Sequence, residues 1–344
     1  VLLDLVKAFE RIPHHVVVRE AIRHGYQLWL VRLSLATYRL ERVVRVGTAV
    51  SRTMTATRGI TAGSGFPTTE LRVIMITIVD AAYLNHPCCW PTVYVDDVAI
   101  ECSGRTAIIR RHVVGFASIV CTMMEDDNLE LSQTKNLCTA SSDAIGTMVA
   151  ALLRQWNVKY ARRVKSLGAG LGAGRRRNAG TPRKRPTAFK ARRSRFAALK
   201  RSGVDTARLL RTGGISAMTY GQAIIGVAPT TLHQQRRAAE HASAPRGGGA
   251  GRQLDLAIML ADGSDTGRAD PAFAAHADPI GQWATAVWEE WLPVTALLRI
   301  AADALKRLSA AKNPWHQCKG PAAGFVATAT RLGWVVHDAF SVTT

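Results

Sequence analysis

Two adjacent carboxylates set between β-branched runs constrain this chain more than any other feature. Thr92-Val93-Tyr94-Val95-Asp96-Asp97-Val98-Ala99-Ile100 alternates with period two around an acidic pair that has no basic neighbour. The pattern predicts a tight hairpin with Asp96 and Asp97 at its tip. Two such side chains repel each other unless a cation lies between them, and a hard ion such as Mg²⁺ is the natural complement. Aspartate is also a common turn residue, so the pair alone leaves an ordinary turn as the competing reading.

The elements around the hairpin read in order. Val1–Val6 is an apolar run holding one acid, Asp4, which must point into a cleft or hold a cation. A tight connection over Lys7–Ile12 leads to a helix built on Val17 and Ala21 and ended by Gly25, then to a second helix over Gln27–Glu41. Arg42–Val46 and Val50–Thr57 read as a hairpin, and Arg58–Gly65 as a glycine-dense loop that opens a helix running from Pro67 to about Tyr83. After the acidic hairpin come a helix over Arg105–Met124, a strand over Asn136–Thr139, a helix over Asp143–Gln155 and a basic strand over Asn157–Leu167. That order predicts an α+β layout, helices packed on an antiparallel sheet, with Asp4 beside the Asp96-Asp97 turn.

Charge is the other constraint. The formal net charge is +20 over 344 residues, and it is concentrated. Residues 151–211 carry 19 lysines and arginines against one acid, Asp205, while residues 1–150 and 212–344 are each within one charge of neutral. One basic segment in a near-neutral chain points to a polyanion, and nucleic acid fits better than a membrane because the segment lacks an amphipathic apolar face. The apolar run Leu71–Leu84 contains Arg72 and Asp80 and reads as a core helix, not a membrane span. The six cysteines form no C-x-x-C pair or metal-ligand spacing, which indicates a reducing compartment.

Five blocks in order resemble the palm of reverse transcriptases, in particular those of non-LTR (LINE-like) retrotransposons. They are Leu3-Asp4-Leu5-Val6-Lys7-Ala8-Phe9, Gly59-Ile60-Thr61-Ala62-Gly63-Ser64, Tyr94-Val95-Asp96-Asp97, Leu131-Ser132-Gln133-Thr134-Lys135 and Lys165-Ser166-Leu167-Gly168. The second departs from many relatives in having Ala62 in place of glutamine. The resemblance implies an RNA-directed DNA polymerase with a right-hand polymerase palm over residues 1–167, whose fingers would precede Val1. It implies two Mg²⁺ ions, with Mn²⁺ as a substitute, held by Asp4, the Leu5 carbonyl, Asp96 and Asp97, to serve both oxygens of an in-line nucleotidyl transfer. It further implies that Leu5, Val6, Lys7, Ala8, Phe9, Gly63, Ser64 and Tyr94 surround the nucleotide, with the Phe9 ring excluding a 2′-hydroxyl. Lys135 becomes the candidate general acid for the leaving pyrophosphate. The partners implied are an RNA template, a DNA primer and deoxynucleoside triphosphates; nothing points to a protein partner or a membrane.

Residues 168–202 read as a flexible Gly/Arg-rich connector, since few apolar residues are available to pack. Lys165, Arg175, Arg176, Arg177, Arg183, Lys184, Arg185, Arg192 and Arg193 are its candidate phosphate contacts. Arg175–Arg185 also has the composition of a nuclear-import signal, so the expected location is the nucleus, the cytoplasm or both. Residues 203–245 read as a thumb-like helical region, Pro245–Gly251 as a glycine linker, and residues 246–344 as a helical tail of unassigned role. Trp283, Trp288, Trp291, Trp315 and Trp334 of that tail read as core residues. Two functions compete: a reverse transcriptase, and a palm-folded basic nucleic-acid-binding relic without turnover. An RNA-copying RNA polymerase is disfavoured by Phe9 and by Tyr94-Val95 before the acids.

Overall fold

The computed structural model describes residues 1–61, 64–174, 176–243, 258 and 267–344. It divides into two units, Val1–Arg162 and Arg163–Thr344.

The first unit is a two-layer α+β structure. Strands β1 (Leu2–Leu3), β4 (Cys89–Tyr94), β5 (Asp97–Cys102), β6 (Leu137–Cys138) and β7 (Lys159–Tyr160) form one sheet in the order β4-β5-β1-β6-β7. A separate short hairpin, β2 (Arg45–Val46) with β3 (Ala49–Val50), lies within the longer one expected from the sequence. Neighbours in the large sheet are antiparallel except β6 and β7, which are parallel. The expected all-antiparallel sheet is therefore mixed. Parallel neighbours need a crossover, and the helix Asp143–Leu152 supplies it. Its N-cap Ser142 accepts a hydrogen bond from the Ile145 amide, which fixes where the helix starts.

Helices α1 (Ala8–Arg11), α2 (His14–Arg23) and α3 (Leu28–Tyr38) follow β1, α4 (Pro67–Asn85) precedes β4, and α5 (Thr106–Asp126) follows β5. Along α5, Val113, Phe116, Ala117, Val120, Cys121 and Met124 recur every three or four residues, and all are buried. That stripe packs with α4 on the sheet face bearing Val98 and Ile100. Among the described residues α5 alone has the length and apolarity to cross a membrane, and one stripe of it is buried in the core. The opposite sheet face is open: Trp90, Thr92, Tyr94 and Glu101 are exposed along β4 and β5.

The second unit corrects the sequence reading in three places. The strand expected over Asn157–Leu167 is two strands in different sheets: Lys159–Tyr160 closes the large sheet, while Arg163–Ser166 (β8) pairs with Ala169–Gly172 (β9). Leu167 and Gly168, both at positive φ, make the two-residue turn between β8 and β9. Second, residues 168–202 carry regular structure instead of forming a flexible connector: β9 is followed by helices α7 (Gly180–Lys190) and α8 (Arg193–Arg201), the crossover helix Asp143–Leu152 being α6. The buried Asn178 amide donates to the Val164 and Leu171 carbonyls at 3.1 and 3.2 Å, tying the hairpin to α7. Phe189 and Phe196, with ring centroids 5.3 Å apart, join an apolar cluster that includes Leu210, Ile215, Met218 and Ala238. The segment is poor in apolar residues but borrows a core from the helices after it.

Third, the tail tryptophans divide. Trp283 is buried, stacks on Phe325 and donates to the Ala339 carbonyl at 2.9 Å, whereas Trp288 is 89% exposed and Trp291 is also on the surface. The region from 203 is helical, through α9 (Thr206–Leu209), α10 (Ile215–Thr219), α11 (Gln222–Ile225) and α12 (Pro229–Ser243), and further helices span Pro271–Trp288, Val294–Ser309, Pro314–Gln317 and Pro321–Arg331. The glycine linker Pro245–Gly251 lies outside the described residues.

Candidate functional site

The acidic turn forms where the sequence places it. Tyr94 pairs with Asp97 across the hairpin, leaving Val95 and Asp96 as the turn residues. Val95 has φ 62°, the sign required at the first position of a type II′ turn but strained for a β-branched residue. β1 lies antiparallel beside β5 with Leu2 opposite Ala99 and Leu3 opposite Val98, so one step further along the same register brings Asp4 opposite Asp97. Two acids separated by more than ninety residues of sequence thus reach the same end of the sheet, on its open face.

Residues 130–136 fix β1 from its other side. The Val6 amide donates to the Glu130 carbonyl and the Ser132 amide to the Asp4 carbonyl, both at 2.8 Å. By the alternation of a strand, the Leu5 carbonyl then points to the opposite edge, where β5 and the acidic turn lie. The Ser132 hydroxyl accepts from the Lys135 amide at 3.2 Å, closing a turn that carries the Lys135 side chain back over the acids. Its Nζ lies 3.0 Å from Asp4 Oδ2 and 3.3 Å from Oδ1. Asn136, fully buried, accepts from the Asp4 amide at 3.0 Å and donates to the Trp156 carbonyl at 2.9 Å. Sequence reasoning missed Asn136 and Ser132 as positioning residues. An asparagine next to the candidate lysine, in an apolar strand, was the available signal.

The electrostatics are those of crowded carboxylates. Burial pushes the Asp97 carboxyl above its ordinary value, Asp96 and Asp4 push it further, and Lys135 pulls it back. The hydrogen bond to Asp4 raises Lys135 above the usual lysine value, with Asp96 and Asp97 adding to the effect. Lys135 is therefore firmly protonated and a weaker acid than a free lysine, better suited to neutralising charge than to giving up a proton. Three hard oxygen donors in one field are the set a divalent cation prefers. Among the described residues, however, no three acidic, histidine or cysteine side chains close up as a ready metal cage.

The remaining predicted nucleotide contacts fall into two groups. Leu5 and Ala8 are buried, Val6 and Phe9 are half-buried, Phe9 against the core, and Lys7 is exposed with φ 50° at the start of α1. The Ile60 amide donates to the Phe9 carbonyl and the Gly59 amide to the Ile12 carbonyl, both at 2.7 Å, so the glycine-dense loop runs alongside Phe9. A Cβ at Gly59 would come within 2.9 Å of the Glu10 carbonyl oxygen, so only glycine fits this approach. The Tyr38 hydroxyl donates to the buried Glu70 carboxylate at 2.8 Å and lies 3.3 Å from the Ser64 hydroxyl. Gly63 lies outside the described residues. Tyr94 is exposed on the same face as Asp97.

The basic candidates belong to the second unit and are not equivalent. Lys165, Arg176, Arg183, Lys184, Arg192 and Arg193 are exposed. Arg177 is turned inward, donating to the Ile225 and Gly226 carbonyls at 3.3 Å, with burial lowering its pKa, so its expected phosphate contact gives way to a structural role. Arg185 donates to the Gly168 carbonyl at 2.9 Å and lies over the Tyr220 ring. Arg175 lies outside the described residues.

No family model matches the chain, and neither a curated protein nor a solved structure is significantly similar to it.

Proposed function

We propose that the first unit is a polymerase palm of the reverse-transcriptase type and that the protein is an RNA-directed DNA polymerase of a retroelement, extending a DNA primer on an RNA template. The observation that carries this reading is the meeting of Asp4 with the Asp96-Asp97 turn on the open sheet face, where burial and then Asp96 and Asp4 raise the pKa of Asp97. The donor set suits Mg²⁺ or Mn²⁺, which Asp4, Asp96, Asp97 and the Leu5 carbonyl would hold. The ions would supply charge neutralisation at the attacking and leaving oxygens.

The chain's own residues provide the surroundings. The Asn136 side-chain oxygen and the 130–132 segment hold the Asp4 backbone, which fixes the point from which its side chain leaves the strand. Lys135 brings positive charge to the acids, where a triphosphate would approach. The Ile60 amide holds the Phe9 backbone, and on this reading the Phe9 ring would exclude a 2′-hydroxyl. A primer terminus would be received on the open face that carries the exposed Tyr94.

A second reading rests on one observation. The Lys135 ammonium pairs with Asp4 at 3.0 Å, a charge neutralisation that a nucleic-acid-binding relic could also keep. Primer extension separates the two. The chain, alone and joined to whatever its own reading frame encodes upstream, is given poly(rA)·oligo(dT), dTTP and Mg²⁺. Extension that falls by about 10³-fold or more in Asp96→Asn supports the polymerase. Salt-sensitive RNA binding with no extension by either form, unchanged in Asp96→Asn, establishes the relic instead.

A further inference from the structure

We propose that the cavity between α7, α8 and α12 of the second unit is a phosphate-binding site. The proposal is independent of nucleotidyl transfer, because every residue in it lies in the second unit. The cavity measures about 330 Å³, within the roughly 300–1,000 Å³ typical of small-molecule sites. Lys190 ends α7, Arg193 begins α8, and Arg237 and His241 lie one turn apart on α12; all four line it, with Phe189 as an apolar wall.

Among the described residues, cations outnumber acids at this cavity. Among the described residues no carboxylate forms an ion pair with Lys190, Arg193 or Arg237. The neighbouring Arg236, by contrast, makes a bidentate pair with Asp270, its Nε 2.9 Å and its Nη2 2.6 Å from the carboxylate oxygens. One acid is near: Glu240 Oε2 lies 3.3 Å from His241 Nδ1. The crowding registers on His241, whose pKa is lowered first by burial and then by Arg193, with Arg237 and Lys190 adding and Glu240 opposing. Cations crowded around a partly enclosed space repel one another, and a multivalent anion removes that cost. Two guanidinium forks and an ammonium match the oxygens of a phosphate, which accept several hydrogen bonds at once. The volume leaves room for a sugar beside the phosphate, against Phe189.

The phosphate group is the common chemistry, carried by a mononucleotide or by a polynucleotide. The full chain is titrated with inorganic phosphate, with dAMP, and with 5′-phosphorylated and 5′-hydroxyl oligo(dT), while melting temperature and binding are followed at constant ionic strength. The expected result is a phosphate-dependent rise in melting temperature and at least a tenfold weaker affinity in Arg193→Gln/Arg237→Gln. Both side chains are exposed, so the pair can be truncated without opening the core. The charge-matched control Arg201→Gln/Arg299→Gln, two exposed arginines of the second unit outside the cavity lining, stays within twofold of the parent. Tighter binding of the 5′-phosphorylated oligonucleotide assigns a terminal phosphate; equal binding, competed by inorganic phosphate, assigns an internal phosphodiester; binding of dAMP alone assigns a mononucleotide. Lys190→Gln supplies a second variant should the double one unfold. The proposal is overturned if phosphate stabilises no more than chloride at equal ionic strength, or if the control loses as much affinity as the cavity variant.

Discussion

In the first unit three carboxylates share the end of a sheet with a lysine whose ammonium lies 3.0 Å from one of them. In the second, four basic side chains line a cavity, and among the described residues three of the four have no acidic partner. Both places crowd like charges, but the acidic cluster carries its own counter-ion and is tied to the backbone, through Asn136 to Asp4 and through the closed hairpin to Asp97. The basic cluster is built from helix ends and an exposed helix face, with Glu240 beside His241 as the acid that opposes it. The acidic cluster can therefore persist in the free protein with its geometry fixed by the sheet. The basic one gains most when an anion arrives.

The largest effect that would test this difference is at Asn136. Asn136→Ala orphans the half-buried Asp4 amide and the Trp156 carbonyl, which at roughly 1–3 kcal/mol for each unsatisfied group should cost about 2–6 kcal/mol. Denaturant unfolding of the variant measures it. Losing two arginines from the cavity should cost no comparable stability. A cost below about 1 kcal/mol at Asn136 would mean that the acidic cluster is no more fixed than the basic one.

Lys135→Ala gives a smaller effect. The lysine side chain is 68% exposed, so its ion pair contributes less than about 1 kcal/mol after screening. The informative measurement is the pH dependence. Asp97 has a raised folded-state pKa, so the native state binds more protons than the unfolded chain from about pH 4 upward, and stability falls as pH rises through that window to the folded value. Removing Lys135 deletes the one influence pulling Asp97 down, so the fall should become deeper and extend to higher pH. Mg²⁺ needs the ionised carboxylate. Its stabilisation should therefore grow over the same rise in pH, and at pH 7 it should be larger in Lys135→Ala than in the parent. Identical pH profiles with and without Lys135 would show that it is not the counter-ion of this cluster.

The same contrast explains which parts were legible in the sequence. Asp96-Asp97 and its hairpin could be read because a period-two pattern and its turn are local. Asp4 could be placed beside them because one acid in an apolar strand has few other options. The mixed sheet could not be read, because β6 and β7 are two residues each and their parallel pairing depends on a helix between them. Nor could the basic cavity, which joins Lys190 and Arg193 to Arg237 and His241 some forty residues later. Arg177 was misread for a similar reason: within a run of arginines, only tertiary packing shows which one faces the Ile225 and Gly226 carbonyls.

The smallest effect concerns how rigidly the acidic turn is held. Val95 and Val93 are both half-buried against the same core, two residues apart, but only Val95 has positive φ. Val93→Gly should cost about 2 kcal/mol through lost burial and added unfolded-state freedom. Val95→Gly loses the same side chain but regains the roughly 1–2 kcal/mol that a branched residue spends in the left-handed region, so its net cost should be close to zero. The difference between two identical substitutions isolates the backbone term. If Val95→Gly proved as damaging as Val93→Gly, the turn would hold no strain. The fixed position of Asp96 would then rest on the β4–β5 pairing and on Asp4 alone.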